Sequence, residues 1–230
     1  MIIAGLQKTT LVDYPGKVAA TVFTRGCTFR CPFCHNPELV LPEKFLPEMD
    51  LEEFFDFLKS RRGRLEAVCI TGGEPMMFAD IGEFIVRMKD LGYLVKLDTN
   101  GSFPDRLEAV IKEGAVDYIA TDIKAPLKRY REVSRSLIQN LEEKVTRSID
   151  LIMNSGIDYE FRTTIAKPLH SMGDFDGMGE MITGARLYFI QNFVQSKHND
   201  EAMKMQPFSG EELEQAKLIM QRYVKEVGIR

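Results

Sequence analysis

From Val18 onward the chain alternates short apolar, β-branched runs with amphipathic segments six times, and no other property of the sequence restricts its fold so strongly. The apolar runs fall at residues 18–24, 67–71, 94–97, 118–123, 159–164 and 187–193. Between the first two, Asp50 with Glu53 makes a capping-box-like start to a helix through Arg62, with Leu51, Phe54, Phe55 and Leu58 on one face. Helices are predicted at 80–91, stopped by Gly92, at 104–112, at 136–154 and, less sharply, at 175–182. A last helix, opened by Ser209 with Glu212 three positions on, is predicted to run to Glu226. Parallel strands cannot be joined by short hairpins, so this alternation implies an α/β fold with a parallel sheet and helical crossovers. Six units exceed what a small open sheet needs and fall short of a closed eight-stranded barrel. A partial (β/α)6 barrel with outer helices is therefore favoured over a doubly wound sheet, and in either case chemistry belongs at the carboxyl ends of the strands.

A chain of 230 residues with 44% hydrophobic content and a net charge of -4 can bury one full core. One domain is expected over 1–230, with an N-terminal segment 1–17, a barrel core 18–195 and a C-terminal helical extension 196–230. No apolar run approaches the roughly 18 residues of a membrane span, and no signal-peptide pattern is visible, so no membrane association and a cytoplasmic setting are expected. Four cysteines do not make a disulfide framework in a chain this long; metal binding or redox use fits better. The pI near 5.6 and the lack of a basic stripe argue against nucleic-acid binding. Arg61, Arg62 and Arg64 read as a solvated helix end, and the methionines as core fillers.

Polar motifs sit where the predicted strands end. Cys27 follows the first strand, Gly72-Gly73-Glu74-Pro75 the second and Asp98-Thr99-Asn100-Gly101 the third. Asp122-Ile123-Lys124 ends the fourth, Arg162 lies late in the fifth, and Gln191 and Asn192 lie late in the sixth. Decoration would scatter over both ends of the strands. Three of the four cysteines, Cys27, Cys31 and Cys34, fall within eight positions. A structural zinc closes its tetrahedron with four protein ligands, whereas three thiolates on an iron-sulfur cube leave one iron open. A zinc knuckle remains the alternative for this loop, and His35, although its residue type suits iron and zinc, is not expected to be a fourth ligand. Cys69, in a predicted buried strand, reads as a small inert hydrophobe. His170 and His198 are expected at the surface.

The CxxxCxxC spacing with Phe33 before its last cysteine, followed by the GGEP motif, resembles the radical S-adenosylmethionine superfamily. The resemblance implies that Cys27, Cys31 and Cys34 hold one [4Fe-4S] cluster whose open iron binds S-adenosylmethionine. An electron from the cluster would then split the sulfonium into methionine and a 5'-deoxyadenosyl radical. Residues 5–17, GLQKTTLVDYPGK, and residues 34–39, CHNPEL, are similar to the activating proteins of anaerobic ribonucleoside-triphosphate reductases, whose substrate is a glycine of a large partner enzyme. By that resemblance Phe33 and His35 meet the adenine through their backbones, and Gly72 and Gly73 let the backbone approach the methionine moiety closely. A plain strand-to-helix turn is the alternative for the glycines, and Glu74 is expected to be structural although it borders the cofactor. Asp98, Asn100, Asp122, Ile123 and Lys124 are expected around the ribose, sulfonium or carboxylate, followed by Arg162. For Asp98, Asn100, Asp122 or Lys124 taken alone, a solvated strand end is the alternative.

Several activases place a histidine after the sixth strand, where this chain has Gln191, Asn192 and Gln195, so the contacts of that strand are open. No cysteine-rich insert is present, which excludes auxiliary clusters. The expected partners are a glycyl-radical enzyme, first of all anaerobic ribonucleotide reductase, and a flavodoxin or ferredoxin reductant. Residues 9–17 read either as lining the mouth through which a glycine loop enters or as an edge strand. Competing readings are an activase of a pyruvate formate-lyase type enzyme, a small-molecule radical enzyme resembling the deazaguanine synthases, and a non-catalytic zinc-binding module.

Overall fold

In the computed structural model, which describes residues 1–195 and 203–230, the six alternating units are present and a strand is added at each side. The elements are β1 (Ile3–Thr10), β2 (Ala19–Thr24), α1 (Leu51–Ser60), β3 (Ala67–Gly72), α2 (Ile81–Asp90), β4 (Leu94–Thr99), α3 (Pro104–Lys112) and β5 (Tyr118–Asp122). They continue with α4 (Tyr130–Ser134), α5 (Leu141–Asn154), β6 (Asp158–Ile165), α6 (Asp174–Met181), β7 (Leu187–Asn192), α7 (Gly210–Met220) and β8 (Glu226–Ile229). Among the described residues the strands form one sheet in the order β1 to β8. Every neighbouring pair is parallel except β1 with β2. The sheet does not close on itself, as expected of a partial barrel.

Three sequence expectations need correction. The helix predicted at 136–154 starts only at Leu141, because Arg135 and Asn140 adopt left-handed backbone and separate it from the short α4. The last helix ends at Met220, and Glu226–Ile229 pairs with β7, so the C-terminal extension carries an edge strand as well as a helix. In the N-terminal segment the edge strand is Ile3–Thr10, while residues 11–17 form a turn-rich return. There the Thr10 hydroxyl accepts from the amides of Val12 and Asp13. Tyr14 is buried, its ring 5.8 Å from that of Tyr118, and with Ala19 and Ala67 it seals the amino-terminal end of the barrel. His198 lies outside the described residues.

Strand periodicity divides the side chains between two environments. Val68, Ile70, Val95, Leu97, Ile119, Phe161 and Ile190 face the helices and build the main core. Phe54 and Phe55 of α1 and Phe84 of α2 meet there with ring centroids 5.2 to 5.6 Å apart. Asp50 caps α1 by accepting from the amides of Glu52 and Glu53, as its sequence position predicted. The alternate residues turn inward, so the barrel interior carries Lys96, Asp98, Asp122, Glu160 and Arg162 rather than a layered apolar filling. A set of interior charges survives burial only where each is paired.

Candidate active site

The loop after β2 puts Cys27, Cys31 and Cys34 on the wall of a cavity of about 230 Å³ at the carboxyl ends of the strands. The other walls include Gly72, Gly73, Asp98, Asn100, Asp122, Lys124 and Arg162, so the ends of four strands, β3 to β6, converge on the cysteine loop that follows β2. His35 lines the cavity with its side chain exposed, and Phe33 lines it while buried.

Close backbone packing holds the loop in place. The amide of Gly26 donates to Leu39 O at 2.6 Å, and the amide of Glu74 donates to Gly26 O at 2.7 Å. A Cβ at Gly73 would lie 1.8 Å from Gly26 O, and one at Gly72 would lie 2.4 Å from the Thr24 nitrogen. The two glycines therefore serve first to seat the GGEP turn against the base of the cysteine loop, a packing reason that their sequence setting did not disclose. On the far side, Arg30 N donates to Ser134 O at 2.9 Å, which fastens the loop to the end of α4.

Charge is organised around Arg162. Its Nε donates to Asp122 Oδ1 at 2.8 Å, its Nη2 to Asp98 Oδ2 at 3.1 Å, and its Nη1 lies 3.6 Å from Glu160 Oε1. Lys124 Nζ donates to the other oxygen of Asp122 at 2.9 Å, and Lys96 pairs with Asp98. Burial pushes the Asp122 carboxyl upward, but Arg162 and Lys124 outweigh it and hold it well below the usual carboxylate range. Asp98 is likewise depressed, burial being overcome by Arg162 and Lys96. The same pairs hold Lys124 above the ordinary lysine value against the opposing effect of its burial. Asp98 and Arg162 also face a second cavity of about 430 Å³ inside the barrel, lined by Val12, Asp13, Lys96, Glu160, Gln191 and Arg230.

Not every expected residue reaches the cavity. Ile123 is fully buried in the core on the helix side of β5 and does not line it. Glu74 is fully buried, with Thr99 Oγ1 and the amides of Asn100 and Met76 donating to its carboxylate, the structural role expected of it. Burial raises its carboxyl to about 7. Asn192 is committed to the backbone of Phe208, and Gln191 faces the second cavity.

His170 corrects the expectation of a surface position. It is buried, its Nε2 lies 2.8 Å from Lys124 O, and its ring stands 6.0 Å from that of Phe33. Cys69 is buried as expected, yet its sulfur lies 3.8 Å from both Lys96 Nζ and Asp98 Oδ1, a charged rather than apolar setting. Lys96 and Glu160 were missed, although each stands two positions before a rim residue, Asp98 and Arg162, and so shares its face.

The donor set suits an iron-sulfur group. Three soft thiols border one cavity, while among the described residues no three His, Cys, Asp or Glu side chains are gathered so as to hold a single metal ion. Burial pushes the Cys27 thiol up to about 12 and that of Cys31 to about 11, so both are neutral at pH 7 until a bound cation favours the thiolates. No helix among the described residues is long and apolar enough to cross a membrane.

Comparison with known proteins agrees with this geometry. The chain is 33% identical over 236 residues to a Methanocaldococcus jannaschii protein described as a "putative glycyl-radical enzyme activating enzyme", covering 100% of this chain and 95% of that one. It is 31% identical over 133 residues to a 7-carboxy-7-deazaguanine synthase of Methanopyrus kandleri, covering 49% of this chain and 52% of the relative. In fold it is similar to Streptococcus suis SuiB bound to precursor peptide SuiA, with a TM-score of 0.66, 14% identity, and coverage of 91% of this chain and 48% of that one. Residues 21–177 match the Radical SAM superfamily. With that match spanning most of the barrel and all three cysteines, the chain belongs to the radical SAM superfamily and is a radical SAM enzyme, which displaces the reading of a non-catalytic zinc-binding module.

Proposed function

We propose that this protein is the activating enzyme of a glycyl-radical enzyme, with anaerobic ribonucleotide reductase as its target. The observation that carries the reading is the likeness, over the whole chain, to a relative described as an activating enzyme. Residues 5–17 and 34–39, which resemble the activases of anaerobic ribonucleoside-triphosphate reductases, supply the finer assignment. The unclosed side of the barrel, between β1 and β8, suits a substrate that arrives as part of another macromolecule.

Cys27, Cys31 and Cys34 would hold one [4Fe-4S] cluster. When bound, the cluster supplies the electron that cleaves S-adenosylmethionine and so the means of removing a hydrogen from the partner's glycine. The residues of the chain bind and orient the cosubstrate. Lys124 and Arg162 are the cations available to its carboxylate, and Asp98 and Asp122 the anions available to its positively charged groups. Because all four are already paired with one another, binding exchanges ion-pair partners rather than creating charges in a dry site. Phe33 and His35 border the place expected for the adenine. The electron would come from an external carrier such as a flavodoxin or ferredoxin, in a cytoplasmic setting.

Partial likeness to the deazaguanine synthase favours a second reading, a small-molecule radical enzyme. The two separate in an anaerobic assay of 5'-deoxyadenosine release by reconstituted, reduced protein. Under the activase reading, adding the intact reductase stimulates release. Stimulation by a small organic molecule and none by the reductase would favour the second reading.

A further inference from the structure

One side chain of the β4 rim is aimed at a ligand sulfur, and the surrounding bonds leave it little freedom. Asn100 is buried, and its Nδ2 lies 3.7 Å from Cys27 Sγ and 3.2 Å from Thr28 Oγ1. Which end of an amide carries the nitrogen is set by its partners. Here Ser102 N donates to Asn100 Oδ1 at 3.0 Å, which places the oxygen away from the sulfur and the N–H2 group toward it.

The backbone beneath is clamped by Glu74. Its carboxylate accepts from Asn100 N at 2.6 Å and from Thr99 Oγ1 at 2.7 Å, and Met76 N closes the same group at 3.0 Å. Glu74 has no exposure, so these bonds do not compete with water. Cys27 Sγ also accepts from the amide of Phe29 at 3.4 Å. The Cys31 sulfur is placed differently, 3.8 Å from the carbonyl oxygen of Ser134. Hydrogen-bond donors are thus directed at Cys27, whereas Cys31 faces an acceptor.

We infer that Asn100 is a positioning residue that sets the reduction potential of the cluster, through an amide N–H donated to the Cys27 thiolate and held there by the Glu74 carboxylate. The inference rests on the cluster reading given above. Its physical basis is that one-electron reduction adds negative charge to the cluster and its sulfurs. A donor fixed on a ligand sulfur stabilises the reduced form more than the oxidised form and raises the potential. Glu74 acts at one remove, by fixing the turn that presents Asn100.

The test is a mediated redox titration of the reconstituted full chain, followed by electron paramagnetic resonance, with iron and sulfide counted in each sample. Asn100→Leu removes the donor without changing charge, and its midpoint is expected to shift downward with cluster content retained. An unchanged or raised midpoint overturns the inference while leaving the cluster reading intact. A wild-type protein that takes up neither iron nor sulfide overturns both. Should Asn100→Leu lose the cluster, Asn100→Ala provides the same reading, since it removes the same donor without charge change or added bulk. Its midpoint is also expected to fall. Loss of the cluster in both variants would assign Asn100 a purely structural role and so overturn the tuning role.

Discussion

Arg162 Nε donates to Asp122 Oδ1 at 2.8 Å across the β5–β6 boundary, and that bond joins the cysteine-lined cavity to the interior of the barrel. Removing the guanidinium would leave Asp98, Asp122 and Glu160 facing one another with fewer partners. Breaking a buried pair from one side costs about 3–5 kcal/mol. Arg162→Met is therefore expected to be destabilised by about that much, read from urea denaturation of the metal-free chain. A loss under about 1 kcal/mol would mean that water enters the interior and screens these charges.

Acid should act through the same network. The Asp98 and Asp122 carboxyls are depressed in the folded protein, so the stability they contribute is present above their unfolded value of about 3.9 and is lost as pH falls below it. Glu74 has the opposite sign. Its carboxyl is raised to about 7, so its contribution is full below about 4.3 and is lost as pH rises toward 7. Glu74→Gln should abolish the downward slope of stability between about pH 4.3 and 7, measured as the urea midpoint against pH. An unchanged slope would assign it to another group.

Gly73→Ala tests the seat of the cysteine loop. The added Cβ would fall 1.8 Å from Gly26 O, a backbone atom that cannot move without shifting the loop. The variant is expected to lose most of its capacity to hold iron and sulfide on reconstitution, along with several degrees of thermal stability. Iron content equal to wild type would show that the loop tolerates displacement.

The four cysteines should divide three to one. Serine at Cys27, Cys31 or Cys34 is expected to abolish the cluster absorption. Cys69→Ala should retain the full complement of iron, because that sulfur lies among Lys96 and Asp98 and not on the cavity wall. Iron lost equally in all four would contradict the assignment.

Much of this arrangement was legible because strand ends and loop spacing are local properties. The alternation located six strands, and the rim rule brought the three cysteines together with Asp98, Asn100, Asp122, Lys124 and Arg162. What the sequence hid depends on contacts made over long separations. Ile123 shares a motif with Asp122 and Lys124 but alternates to the other face of β5 and joins the core. His170 lies in an irregular stretch, and only the approach of Lys124 O and Phe33 explains its burial. The short tail at 226–229 gave too few residues for its strand period to stand out from the preceding helix. Gly72 and Gly73 were legible as a turn, while the carbonyl that excludes a side chain at Gly73 belongs to Gly26, 47 positions earlier in the chain.

If the site prepares a radical for a glycine of another protein, that radical is visible by electron paramagnetic resonance of anaerobic ribonucleotide reductase incubated with the reduced, reconstituted protein and S-adenosylmethionine. A glycyl doublet is expected on the reductase, and it should be absent when Cys27→Ser replaces the wild-type chain. Cleavage of S-adenosylmethionine to 5'-deoxyadenosine with no doublet on the reductase would overturn the activase proposal.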